Sequence, residues 1–179
     1  RRMLARASYV FNVAQIDGWS PPDPQPLGAT MIVEAADALV SRSGADVRFG
    51  GDQAYYDPQR DRICMPERRA FRGTATSSPD EAFYATLLHE LVHWSGATSR
   101  LSRPFGRFGS EAYAREELVA ELGAAFLCGD LGVANDPRAD HAAYLAQWLE
   151  ILREDDRAIF KAARLAEAAA DYLLGREGP

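Results

Sequence analysis

The feature that most constrains this chain is the run Leu87, Leu88, His89, Glu90, Leu91, Val92, His93, a His-Glu-x-x-His pattern inside a strongly helical stretch. Residues four apart lie about 40° from each other around an α-helix and one turn up, so both imidazoles project from one face. Two ring nitrogens at that spacing can close on one Zn²⁺, and Glu90 can reach a water on the same ion without ligating it. Phe83, Leu87, Leu88, Leu91 and Val92 supply the apolar positions of a buried helix. Ordinary histidines explain the pattern poorly, because two of the three in the chain fall at the ligand spacing with an acid between them.

Two histidines do not complete a catalytic zinc site, which holds three protein ligands and a water. The next helical run, Arg115, Glu116, Glu117, Leu118, Val119, Ala120, Glu121, returns at a distance that suits an antiparallel neighbour. Glu117 and Glu121 are four apart and share a face, so one can bind the metal while the other accepts the ring N–H of a ligand histidine. Leu118, Val119, Leu122, Ala125 and Phe126 surround them, and carboxylates on a buried helix need partners. Glu117 is preferred as the third ligand over Glu116, Glu121 and His141. Glu116 points about 100° away and is expected in solvent, and His141 is expected to cap a helix or lie on the surface.

The surrounding elements follow from caps and periodicity. Ser78 and Pro79, with Asp80 and Glu81 behind them, open the motif helix, which runs to about Ser95 and stops at Gly96. Ser110 caps the following helix, expected to reach about Cys128. Two Ala/Leu-rich helices, over about 137–154 and 155–174, close the chain, and an earlier one runs from Thr30 to Gly44. Short strand signals at 47–49, 54–56 and Arg62–Met65, with small connections, predict a small antiparallel sheet. Residues 9–13 read as a strand and 20–26, with four prolines, as a linker. The expected organisation is therefore a strand and linker over 1–26, left from a preceding domain, and one domain over 27–179. The missing initiator Met also reads as a fragment of something longer.

The chain has 179 residues, enough for one well-packed domain, and no stretch approaches the roughly 20 apolar residues of a membrane span. The basic start has no apolar core behind it and is not a secretory signal. Cys64 and Cys128 sit in apolar settings without a close Cys or His, which predicts buried free thiols in a reducing cytoplasm. A net charge of −6 argues against the whole chain being a nucleic-acid binder. Arginines nevertheless cluster at 60–72 and, with Phe105 and Phe108, at 100–107.

The runs 88–96 (with His89, Glu90, His93, Trp94 and Gly96), 100–103 (Arg, Leu, Ser, Arg) and 113–123 (with Glu116, Glu117, Glu121 and Gly123) closely resemble the metallopeptidase domain of ArdC-type antirestriction proteins, the zincin-like, polyvalent-protein metallopeptidases of plasmids and phages. Residues 10–15, Tyr55, Tyr56, 61–66 and 144–149 also match its pattern. The resemblance implies an α+β, gluzincin-type fold, a small sheet packed on a mainly helical domain with the motif on a central helix. It implies Glu117 as ligand and Glu121 as its partner four residues on. It also implies single-stranded-DNA binding by an N-terminal domain of full-length members, which is essentially absent here.

The expected function is peptide hydrolysis in which Zn²⁺ activates a water and polarises the scissile carbonyl, and Glu90 moves the proton to the leaving amine. By fold analogy, Arg62–Met65 is the edge strand that aligns an extended peptide. The alternative is a non-catalytic module stapled by zinc, binding single-stranded DNA or a restriction-system partner, with the 100–107 loop as the DNA contact.

Overall fold

The computed structural model describes residue 18 and residues 29–73, 77–107, 109–133, 141–155 and 157–176, without the side chains of 29–33 and 141–147. The strand expected at 9–13, the linker at 20–26, Phe108 and the His141 side chain lie outside the described residues. The described elements are helix α1 (Ala29–Ser43), strands β1 (Asp46–Phe49), β2 (Tyr55–Asp57) and β3 (Arg62–Met65), and helices α2 (Pro79–Ser95), α3 (Glu111–Leu131), α4 (His141–Glu154) and α5 (Ala158–Leu174). A single 3₁₀ turn, Arg68–Ala70, interrupts the loop before α2.

Helix α2 begins where its local chemistry requires. Ser78 Oγ accepts the Glu81 N–H at 3.2 Å, and Glu81 Oε2 accepts the Ser78 N–H at 2.8 Å, a reciprocal capping box with Pro79 in the first turn. Every residue from Phe83 to Ser95 is buried, so the helix has no solvated side beyond its first turn. It packs against α3, α5, α1 and the sheet, with Leu88, Leu91 and Val92 meeting Leu39, Ile63, Met65 and Leu127 in one core.

The sheet is mixed, which corrects the antiparallel expectation. The tight β2–β3 turn makes those strands antiparallel neighbours, with Asp57 Oδ1 accepting the Gln59 and Arg60 N–H groups. β1 lies along the other side of β3 and parallel to it, giving the order β1-β3-β2. β3 is therefore the central strand, not the edge strand expected from fold analogy. Its Ile63 and Met65 are fully buried, and β2 presents an outer edge.

Helix α3 runs to Leu131, past the expected end near Cys128. Gly129 is tolerated inside it, because an exposed helical glycine costs only about 1 kcal/mol. The helix stops at Gly132, whose φ of 72° is left-handed and whose N–H bonds Cys128 O. α3 crosses α2 at Gly123, where an added Cβ would stand 2.9 Å from Val92 Cγ2. That close approach sets the acidic face of α3 against the two histidines.

Candidate metal centre

Among the described residues, one group of His, Cys, Asp and Glu side chains can hold a metal ion: His89, His93 and Glu117, whose donor atoms lie within 4.8 Å of one another. All three are buried. The two Nε2 atoms face each other at 3.1 Å. Glu117 closes the third side, with Oε1 3.4 Å from His93 Nε2 and Oε2 3.6 Å from His89 Nε2.

These separations test whether the site fits an ion. Bonds of 2.0–2.1 Å in a tetrahedral arrangement put neighbouring donor atoms about 3.3–3.4 Å apart, and the observed separations bracket that value. Two imidazole nitrogens and a carboxylate are also the donor set of a catalytic zinc site with one position left for water. Two buried Nε2 atoms cannot both present lone pairs to each other without something positive between them. The donor set fits a divalent cation.

The outer nitrogens differ. His93 Nδ1 is hydrogen-bonded to Glu116 Oε1 at 3.2 Å, whereas His89 Nδ1 lies 3.1 Å from Glu121 Oε1 but is not aligned for a hydrogen bond with it. Burial alone would push His89 down, but Glu117 and Glu121 raise it to about 10. His93 is also raised, against burial, by Glu116 and Glu117. Conversely, the two histidines hold Glu117 well below the ordinary carboxylate range in spite of its burial.

Glu116 departs from expectation. It is 4% exposed rather than solvated, and Arg103 donates to both of its oxygens, Nη2 to Oε1 at 2.7 Å and Nε to Oε2 at 3.0 Å. The α3 segment from 116 to 120 is buried on every side, so no solvated face exists at this position. The available signal was the density of apolar neighbours, which forbids an unpaired carboxylate anywhere on that turn. Its partner comes from a loop, where periodicity carries no information.

The 100–107 loop also differs from the basic surface expected of it. Arg103 is buried, and Arg100 lies over the Trp94 ring at 3.8 Å and pairs with Asp61. Phe105 packs between Tyr56, with centroids 5.8 Å apart, and His93, at 6.2 Å. Two of its three arginines are thus used internally.

Glu90 is buried and lines, with His89, His93 and Glu117, a cleft of about 250 Å³. Tyr55 and Tyr56 of β2, with Phe105 and Tyr113, also line it. Cys128 is buried, and burial, with Glu121 nearby, pushes its thiol up to about 12, whereas Cys64 is only half-buried. No helix among the described residues is long and apolar enough to cross a membrane.

Comparison with known proteins shows the family and the fold. Residues 34–165 match the family model for zincin-like metallopeptidases. The uncharacterized protein y4eC of Sinorhizobium fredii (strain NBRC 101917 / NGR234) is 48% identical over 178 residues, covering 99% of this chain and 56% of its own length. A DNA primase TraC of Escherichia coli is 41% identical over 170 residues, covering 94% of this chain and 11% of its own. Among solved structures, the Mn(II)-bound antirestriction protein ArdC from plasmid R388 superposes with a TM-score of 0.70 at 40% identity, over 92% of this chain and 60% of ArdC. Its metal-free form gives 0.69 at 39% identity, over 94% and 61%. The chain thus spans less than two thirds of each of these relatives. With the match covering most of its length and an α+β fold like that of ArdC, the chain belongs to the zincin-like metallopeptidase family.

Proposed function

We propose that this domain is a metal-dependent peptidase, with His89, His93 and Glu117 as the ligands of a divalent cation, Zn²⁺ in the first instance, and Glu90 as the general base. The observation that carries the reading is the convergence of three donors beside a buried acid in an open cleft. When bound, the cation supplies Lewis acidity to a water and to the scissile carbonyl. Glu90 accepts a proton from the water at a carboxylate oxygen and returns it to the leaving amine as the C–N bond breaks. Glu121, with Oε1 3.1 Å from His89 Nδ1, is near enough to orient the ring by accepting its Nδ1–H after a small rotation, which would leave the Nε2 lone pair for the ion. The outer edge of β2, beside Tyr55 and Tyr56, is suited to align an extended peptide by strand addition. The similarity to ArdC supports an antirestriction role for the parent protein, with a protein of the restriction system as partner or substrate.

Glu90→Gln tests the chemistry. The variant is expected to keep its cation, measured by metal analysis after dialysis, and to lose peptide cleavage by at least about 100-fold. A metal-loaded wild type that cleaves nothing across a broad peptide panel sinks the enzymatic reading.

A further inference from the structure

We propose that Arg103 and Glu116 form a positioning pair for His93, in which the arginine fixes a buried carboxylate that in turn holds the imidazole in its metal-binding tautomer and orientation. This rests on the reading of His93 as a ligand.

The pair is tightly built. The side chains of Arg103 and Glu116 are 2% and 4% exposed. The guanidinium spends its donors on Glu116, on Ser95 Oγ through Nη1 at 3.0 Å, and on Val92 O through Nη2. These last two acceptors belong to the final turns of α2, on either side of His93. The Arg103 backbone N–H adds a bond to Gly96 O at 2.9 Å. Glycine at 96 is required for this packing, because a Cβ there would stand 2.7 Å from Arg103 Nη2.

Stability alone is a poor reason for such a pair. Removing two charges from water costs about as much as their attraction returns, and an apolar pair of equal volume would serve the helix junction as well. What an apolar pair cannot do is accept from His93 Nδ1. Glu116 Oε1 does so at 3.2 Å, which places the free lone pair on Nε2, facing His89 and Glu117. Arg103 supplies the positive charge that keeps a fourth carboxylate tolerable beside Glu90, Glu117 and Glu121. The bidentate fork fixes that carboxylate's plane as a lysine could not.

The test is cation binding to metal-free protein, read by Co²⁺ absorption and by Zn²⁺ competition with a chromophoric chelator. Glu116→Gln keeps shape and an acceptor but loses the charge. It is expected to weaken Zn²⁺ binding by about 10–100-fold with the far-UV circular dichroism unchanged, while the metal-free melting temperature falls because Arg103 loses its buried counter-charge. Arg103→Met should weaken binding in the wild-type background and do so much less in the Glu116→Gln background, because it acts through that carboxylate. If Arg103→Met does not fold, Arg103→Lys takes its place in the cycle. Wild-type affinity in Glu116→Gln, or losses that simply multiply in the double variant, overturns the pair while leaving the metal site standing. A wild type that takes up neither Co²⁺ nor Zn²⁺, like a His93→Ala control, removes the metal site and the pair together.

Discussion

Glu117 is the residue that ties the candidate centre together, since it presents one oxygen toward each histidine. Glu117→Ala would remove the two carboxylate oxygens that face the Nε2 atoms, which lie 3.1 Å apart. Losing a direct ligand should cost more than the 10–100-fold typical of outer partners, so Zn²⁺ affinity is expected to fall by more than about 100-fold. Metal content of the dialysed variant beside wild type measures this. Glu117 was legible as a ligand candidate because it shares a helical face with Glu121 in an apolar run. Glu116 was misassigned because the 3.6-residue period gives the angle between side chains but not which angle meets another element.

At the scale of elements, the α2–α3 crossing and the tie from α2 to the β2–β3 hairpin are both testable. Gly123→Ala gains helix propensity of about 1 kcal/mol but drives a Cβ to 2.9 Å from a stiff, fully buried Val92, a strain of about 1–3 kcal/mol. Gly129→Ala on the same helix meets nothing within 4 Å and should stabilise by about 0.5–1 kcal/mol. Urea melts of both variants should therefore diverge, with Gly123→Ala at or below wild type. The hairpin tie runs from Arg100 to Asp61 and from Tyr56 Oη to Asp61 Oδ1 at 2.8 Å. The hydrogen bond from Arg100 holds the Asp61 carboxyl below its usual range. Its folded-state value is lowered, so its contribution is complete above the unfolded value near 3.9 and lost as pH falls through the folded one. Because Asp61 is half exposed, the contribution stays under about 1 kcal/mol. Asp61→Asn should thus melt slightly below wild type at pH 7, with the difference closing as pH falls through the lowered Asp61 carboxyl value.

For the whole molecule, a cation that binds the folded chain and not the unfolded one must raise its stability. At 100 times the dissociation constant the gain is about 2.7 kcal/mol, which for a domain of this size corresponds to about 5–10 °C in melting temperature. Calorimetric scans with Zn²⁺ and with excess chelator should differ by that amount, and equal melting temperatures would mean the centre does not take up the ion. The core explains why the effect should be global: α2, which carries both histidines, contacts α1, α3, α5 and the sheet.

What the sequence determined by itself is what depends on neighbours along the chain. The cap at Ser78 and Pro79, the extent of α2, the shared face of His89 and His93, and the stop at Gly96 all follow from helical geometry within a few residues. Only the tertiary structure decided which strand lies in the middle of the sheet, that Arg103 turns inward to Glu116, and that Arg100 pairs with Asp61 instead of facing solvent. Strand order and loop-to-helix pairing depend on which surfaces are left to cover once the helices have packed. Local period and propensity carry no record of that competition.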